Sequence, residues 1–167
     1  MKKWSFLVAG ALLLAACNNE EAAAPKEEPV ETAENHAGHE HAVGDIQEQT
    51  ESAEVLPSFL DNQTDLIRAA YQIAGQAPEV LEWMPCYCGC GESAGHTSNM
   101  NCFIQEVKED GKIIWDDHGT RCNVCIEIAV NSVKMHQEGK SLKEIRQIID
   151  ENYKDGYAQP TDTKMPA

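Results

Sequence analysis

Apolar residues recur at helical spacing in the stretch between Asn62 and Gly75. In a helical conformation these residues would lie on one side of the helix: Leu66, Ile67, Ala70, Tyr71, Ile73 and Ala74. This spacing is typical of an amphipathic helix, which Asn62 or Thr64 can cap and Gly75 is expected to end. A second, short helix is predicted over residues 78–84, because proline suits a first helical turn and Pro85 opposes continuation.

The C-terminal part of the chain carries two helical patterns in succession. The first covers about residues 121–137 and ends at Gly139. Ser141 and Glu144 then form a capping box that starts the second helix, which Gly156 is expected to close. The apolar side of this second helix is formed by Leu142, Ile145, Ile148, Ile149 and Tyr153. Because the turn between the two helices is short, we expect them to pack antiparallel.

Between these helical parts, residues 102–115 favour a β-hairpin. Asp110 and Gly111 lie between two runs of β-branched and aromatic residues, which is a typical hairpin turn. A short helix over residues 100–107 is the competing interpretation. The predicted fold class is therefore mainly α: a small helical domain with Cys-rich irregular loops and, where the hairpin forms, one short β-hairpin.

The first residues have the three parts of a secretory signal. Lys2 and Lys3 precede an apolar run that is too short to span a membrane, and small residues follow that run. A cysteine directly after the small residues resembles the signal of bacterial lipoproteins. Residues 1–16 are thus predicted to be a lipoprotein signal peptide, and Cys17 to carry diacylglycerol. The expected location is the outer, extracytoplasmic face of the cell membrane. An ordinary signal peptide with a chance cysteine is the alternative.

The composition of the chain changes well before its middle. Residues 17–54 consist largely of Ala, Glu and Pro, with almost no large apolar side chain. Such a segment cannot bury enough surface to offset the entropy of folding, so it is predicted to be a disordered, acidic linker. Residues 55–157 have the size of one small domain, which is helped by cross-links or a metal. Residues 158–167 are predicted to be a disordered tail.

Charge and histidine content both bear on the expected ligands. The formal net charge is −15 at pH 7, and no basic stripe is visible. We therefore expect no binding to nucleic acid, whose phosphates require a basic face, while cations are favoured near the surface. Within the linker, His36, His39 and His41 form a tract of the kind that binds Zn(II), Cu(II) or Ni(II) loosely. Sequence drift in a polar linker is the alternative for this tract.

Sulfur is concentrated in residues 85–125. The chain has seven cysteines, of which six remain once Cys17 is assigned to lipid. Three of them alternate in residues 85–91, and side chains two apart in extended backbone point to one side. Convergent thiols and imidazoles suit a thiophilic metal ion, here copper or zinc, with a metal transporter or metalloenzyme as the expected partner. The candidate metal ligands are Cys86, Cys88, Cys90, Cys102, Cys122, Cys125, His96 and His118.

Two other uses of these cysteines remain open. Outside the cytoplasm the thiols can form disulfides, in which case the crowded run must pair outward to the three later cysteines. The protein would then be a disulfide-stabilised binding lipoprotein. Alternatively, Cys122 and Cys125 at a helix start form the redox pair of a thiol–disulfide oxidoreductase. No other catalytic residue is predicted, and metal binding without catalysis is the favoured hypothesis.

The cysteine motif also carries a family resemblance. The positions involved are residues 85–91, 95–98, 101–103, 138–150, His118, Cys122 and Cys125. Their combination resembles the bacterial family of lipoproteins named for its PCYCGC motif, over roughly residues 77–153. The resemblance implies lipoprotein status and a shared set of cysteines and histidines. It implies no established activity.

Overall fold

The structure, a computed structural model, describes residues 44–167 of the chain. The predicted signal peptide, Cys17, the histidine tract and most of the predicted linker lie outside the described residues. Within the described part, no helix combines the length and the apolar character that crossing a membrane requires.

Helices account for most of the regular structure, as predicted, and a small antiparallel sheet completes it. The α-helices are α1 (Asp65–Gln76), α2 (Pro78–Leu81), α3 (Gly91–Ala94), α4 (Asn123–Gln137) and α5 (Leu142–Tyr153). The strands are β1 (Gln47–Thr50), β2 (Ile104–Val107) and β3 (Ile113–Asp116). Short 3₁₀ turns occupy Ser58–Leu60, Asn99–Cys102 and Asp117–Arg121.

Local capping signals place the helix starts. The Thr64 side chain accepts a hydrogen bond from the backbone N–H of Ile67, so Thr64 is the cap of α1. The predicted capping box of Ser141 and Glu144 is present at the start of α5. Both long helices predicted from these caps are confirmed.

Two predicted helices differ from the structure at one end. The helix expected over residues 78–84 ends at Leu81, because the following backbone bonds close tighter turns, as from Trp83 N–H to the Val80 carbonyl at 3.3 Å. Helix α4 begins at Asn123 rather than at residue 121. The residues before it form a 3₁₀ turn, which starts where the Asp116 side chain accepts from the His118 N–H.

The predicted hairpin is confirmed, and the competing helix over residues 100–107 is wrong beyond its first turn. Gly111 has a φ of +86°, which suits the glycine of the hairpin turn. A third strand, β1, pairs antiparallel with β3, giving the order β1-β3-β2. The predicted disordered linker therefore ends too late, since part of it is strand. The β1 side chains are polar, so pairing through the backbone left no apolar pattern to detect.

The core consists of two clusters of buried side chains. The larger one lies where α1 packs on α4 and on the sheet, around Tyr71, Phe103 and Trp115. Gly75 is required there, because a Cβ at this position would lie 2.6 Å from the Trp115 ring. The smaller one, called the Tyr87 cluster, joins α5 to α4 through Met84, Tyr87, Ile128, Ile145, Ile149 and Tyr153.

The predicted disordered tail is held against the protein. The Ala158 N–H donates to the Tyr87 carbonyl at 3.2 Å, and the Thr161 N–H donates to the Cys86 carbonyl at 3.0 Å. The Cys86 N–H in turn donates to the Thr161 hydroxyl at 2.9 Å. The buried side chain of Arg146 donates to the Thr163 carbonyl at 3.1 Å. The prediction was wrong here because polar groups and backbone, not an apolar pattern, fix the tail.

Candidate metal centre

Residues 85–91 form an irregular loop that directs alternate side chains to different places. Cys86 packs with the larger core cluster, and Cys88 packs against its margin. Tyr87 between them belongs to the Tyr87 cluster. Gly89 has a φ of +82°, a conformation that glycine adopts without strain and that turns the chain after the second cysteine. The hydrogen bonds to the tail hold the backbone of Cys86 on both sides.

The other cysteines come from two different elements. Cys102 ends the 3₁₀ turn before β2, and Cys122 is the residue that caps α4, with Cys125 in its first turn. Asn99 links these elements, since its side-chain amide donates to the Cys125 carbonyl at 3.1 Å. Cys102 and Cys125 are completely buried, whereas Cys122 is half-buried.

Five sulfur atoms meet between these elements, and we call this group the thiol cluster: Cys86, Cys88, Cys102, Cys122 and Cys125. Its sulfur–sulfur distances are 3.0 Å for Cys86–Cys88 and for Cys102–Cys125, 3.2 Å for Cys86–Cys125 and 3.8 Å for Cys86–Cys102. Cys88 also contacts Cys122 and Cys125. The six cysteines of the described part are all free thiols.

These distances can be compared with two kinds of sulfur pair. A disulfide bond is about 2.05 Å long, so none of the four pairs is bonded. Four thiolates at about 2.3 Å from a tetrahedral zinc ion would lie about 3.8 Å from one another. Cys86 and Cys102 already have this separation, and the closer pairs would have to move apart by less than 1 Å, roughly, to admit an ion.

Hydrogen bonds among the thiols lower the pKa of some cysteines and raise the pKa of others. Hydrogen bonds with Cys122 and Cys125 lower the pKa of Cys88 to about 4, and hydrogen bonds with Cys125 and Cys86 lower the pKa of Cys102 to about 6. The pKa of Cys125 is raised by its hydrogen bonds with Cys102, Cys122, Cys86 and Cys88. Cys88 and Cys102 are therefore the thiols with a lowered pKa, and a lowered pKa favours the thiolate, which is the form that binds metal.

Cys90 lies at the edge of the thiol cluster. Its backbone N–H donates to the Cys88 sulfur at 3.3 Å, and its own sulfur is 4.0 Å from the Cys88 carbonyl oxygen. Burial raises the pKa of Cys90 to about 12, and the neighbouring Cys88 adds to this shift. Its potential ligand atom lies within 4.8 Å of those of Cys88 and His118. Cys90 is therefore a neighbour of the cluster and not a central member.

Both predicted histidines lie beside the thiol cluster, with ring centroids 4.7 Å apart. His96 places its Nδ1 at 3.7 Å from the Cys102 sulfur, and burial lowers its pKa, which favours the neutral ligand form. His118 contacts Cys88, and this hydrogen bond raises the pKa of His118 to about 9. The structure thus brings all eight predicted residues into one region, and their role as metal ligands stays a prediction.

Sequence reasoning missed Asp45, whose carboxylate lies beside both histidines. Its Oδ2 is 3.2 Å from Nδ1 of His118 and 3.9 Å from Nε2 of His96. The Arg121 guanidinium pairs with the other oxygen of the Asp45 carboxylate and with Asp117. Asp45 falls in the segment predicted to be linker, where acidic residues are common, so no signal in the sequence distinguished it.

Comparison with known proteins adds a family and no function. Neither the curated proteins nor the solved structures gave a match to this chain. One family model matches residues 6–166, which extends the resemblance seen in the motif to almost the whole chain. The chain therefore belongs to the family described as proteins of unknown function with the PCYCGC motif.

Proposed function

We propose that this protein binds a thiophilic metal ion, Cu(I) or Zn(II), in the thiol cluster and delivers it to a metal transporter or metalloenzyme. The observation that carries the proposal is the convergence of five free thiols from three segments, with four of their sulfur pairs at 3.0–3.8 Å. Thiolates are polarisable ligands that soft cations prefer, so a buried group of thiols suits the binding of such a cation.

The same geometry argues against a purely structural set of disulfides. Cys125 is close to Cys86, Cys88 and Cys102 at once, but its sulfur can bond to only one of them. If Cys86 pairs with Cys125 and Cys88 with Cys122, Cys102 and Cys90 remain. The Cys90 sulfur lies instead beside Cys88 and His118. One metal ion can bind several of these sulfur atoms at once, whereas disulfide bonds can join them only in pairs.

The Cys122/Cys125 pair also lacks the features of a redox-active motif. A reactive thiolate is partly exposed and has a lowered pKa. Cys125 is completely buried and its pKa is raised, and the pKa of the half-buried Cys122 is raised as well. The lowered pKa values belong to Cys88 and Cys102 instead. Acidity within the cluster therefore favours ligand exchange over dithiol cycling at the helix start.

The ligand count supports either metal. Cys86, Cys88, Cys102 and Cys125 are joined by direct sulfur contacts and supply the four ligands of a tetrahedral zinc site. Any three of these thiolates suit Cu(I), which soft ligands select. The half-buried Cys122 contacts Cys88 and Cys125, and it supplies a further thiol that a receiving partner can reach.

Membrane attachment through Cys17 is part of the proposal. The basic start, the apolar run and the cysteine after two alanines support it, and mass spectrometry of the native protein tests it. Diacylglycerol on Cys17 is the expected finding. A mature chain without lipid on this cysteine would contradict the anchored, extracytoplasmic assignment.

The test of metal binding uses the full chain purified without oxygen, followed by elemental analysis and thiol counting. A fragment beginning at Val55 is unsuitable because it would lack β1 and Asp45. We expect bound copper or zinc whose release by acid exposes titratable thiols, since protons compete with metal for thiolate. A chain that arrives metal-free, takes up neither ion after reduction and contains paired cysteines would overturn the proposal.

Two serine variants sharpen the assignment. Cys88→Ser removes the thiolate that contacts Cys86, Cys122 and Cys125. Metal binding should weaken by about tenfold to a hundredfold, because loss of an outer-shell partner alone has an effect of this size. Cys90→Ser is the matched control from the same loop, and its effect should stay below about tenfold. Equal effects of the two substitutions would contradict the proposed ligand set.

A further inference from the structure

A second group of metal-type donors borders the thiol cluster and contains no sulfur. It consists of Asp45, His96 and His118, whose potential ligand atoms all lie within 4.8 Å of one another. Their side chains are 18%, 3% and 11% exposed, so the group is largely shielded from water while the carboxylate remains accessible. None of the predicted thiol ligands is needed to complete it.

The backbone holds Asp45 in this position. The neighbouring Ile46 exchanges two hydrogen bonds with Asp117: its N–H donates to the Asp117 carboxylate at 2.8 Å, and its carbonyl accepts from the Asp117 N–H at 3.0 Å. Strand β1 then continues the pairing with β3. Arg121 binds Oδ1 of Asp45, which also lies 3.3 Å from Nδ1 of His118, whereas Oδ2 lies close to both rings.

The separations fit a small divalent cation. Ligands at about 2.0 Å from a tetrahedral ion lie about 3.3 Å from one another. Oδ2 of Asp45 lies 3.2 Å from Nδ1 of His118 and 3.9 Å from Nε2 of His96. The imidazoles cross at 76°, so they approach the carboxylate from different directions. Small side-chain shifts would bring all three donors to one ion.

The local charge favours a cation as well. The carboxylates of Asp45, Asp116 and Asp117 have oxygens within 4.8 Å of one another. Arg121 pairs with two of them, and it is itself half exposed. A divalent cation between Asp45 and the histidines would offset the excess negative charge of these carboxylates.

We infer that Asp45, His96 and His118 form a second cation position for a divalent ion of borderline hardness, of the Zn(II) class. Two imidazoles and one carboxylate suit such an ion and leave a fourth place for water or an incoming ligand. His96 presents Nε2 to this position and Nδ1 to Cys102, so it adjoins the thiol cluster directly. The inference relies on the proposed function only in assigning the softer ion to the thiols.

The test uses the reduced full chain in which His36, His39 and His41 are replaced by Gln, which removes the competing tract. The thiol cluster is first loaded with Cu(I), and uptake is measured against a chromophoric Cu(I) chelator. Co(II), a spectroscopic substitute for Zn(II), is then titrated without oxygen. We expect one equivalent of Co(II), approximately, to bind without thiolate-to-cobalt charge-transfer absorption, because its ligands are nitrogen and oxygen.

Substitutions at Asp45 separate a ligand from a supporting residue. Asp45→Asn should weaken Co(II) binding by more than about tenfold and leave Cu(I) uptake unchanged, while Asp45→Glu should retain most of the binding. Asp155→Asn, at an exposed carboxylate after α5, is the matched control and should change neither. Near-ultraviolet circular dichroism of the buried Trp115 checks that each variant is folded.

The two proposals fail in distinguishable ways. Absence of Cu(I) uptake would contradict the proposed function at the first step, and Co(II) titration of the reduced, copper-free chain would still test the second position by the same Asp45 criterion. Unchanged Co(II) binding by Asp45→Asn would overturn the second position. A thiolate-to-cobalt absorption band that changes in Asp45→Asn would also overturn the second position. Such a band would mean that thiolates bind the Co(II) ion together with the histidines, and that Asp45 only orients those histidines.

Discussion

The thiol cluster and the Tyr87 cluster border the same loop and differ in what holds them together. Around Tyr87, Ile128, Ile145 and Ile149 are buried by ordinary apolar packing between α4 and α5. Around Cys86, sulfur atoms lie 3.0–3.8 Å apart, and the pKa of two of these ionisable thiols, Cys88 and Cys102, is lowered. The first arrangement is stable in itself, whereas the second stabilises the fold only when its charge is compensated.

The comparison predicts that stability and metal binding can be changed separately. Substitutions in the Tyr87 cluster should lower the free energy of unfolding and leave the ligands intact. Changes at the thiol cluster should alter metal-dependent stability.

Ile149→Ala should have the largest effect on stability. Ile149 is almost fully buried between α5 and α4, so truncation removes apolar contacts and leaves a cavity. We expect a loss of about 2–5 kcal/mol in the free energy of unfolding, measured by urea denaturation of the metal-free chain. Metal stoichiometry per folded molecule should not change. A loss of bound metal in the folded variant would show that the two clusters are not separable.

Binding of Cu(I) should stabilise the protein through the thiol cluster. At a free metal concentration about a hundred times the dissociation constant, binding adds about 2.7 kcal/mol. The thermal midpoint should therefore rise with metal in the wild-type chain and rise much less in Cys102→Ala. Lowering the pH should abolish the rise, because protons displace metal from thiolate. A similar metal-induced rise in both chains would place the binding site elsewhere.

Thr161→Val tests the contact between the tail and the cysteine loop. The substitution keeps the shape of the side chain but removes the hydroxyl that accepts from the Cys86 N–H at 2.9 Å. Leaving this donor without its partner should cost about 1–3 kcal/mol. Metal affinity should also fall, since the backbone of a ligand loosens. Thr120→Val, whose hydroxyl donates within the turn before α4, serves as a control outside the tail.

Ser141→Ala should have the smallest effect. It removes the cap of α5, on the Tyr87 side of the molecule, and caps of this kind contribute about 1 kcal/mol. Unfolding monitored by circular dichroism should show this loss, and titration should show unchanged metal affinity. A change in affinity would mean that helix α5 is coupled to the thiol cluster, so that the two clusters are not independent.

Local signals in the sequence determined the helices and the hairpin. The apolar periodicity of α1, the capping box of α5 and the glycine of the hairpin turn each depend on residues close together in the chain. Such local effects do not depend on contacts between distant segments, so they can be recognised in the amino-acid sequence. The alternation in residues 85–91 likewise predicted that Cys86 and Cys88 act together, and their sulfurs are 3.0 Å apart.

Tertiary structure decided which distant polar groups join the site. Strand β1 and the tail have no apolar period, and each is held by hydrogen bonds to residues more than sixty positions away along the chain, such as Gln47 to Asp116 and Thr161 to Cys86. Asp45 reaches the histidines through this pairing. Hydrogen bonds and ion pairs between remote segments depend on the folded geometry and leave no local pattern. For that reason the sequence identified the sulfur and imidazole donors, and only the fold added the carboxylate beside them.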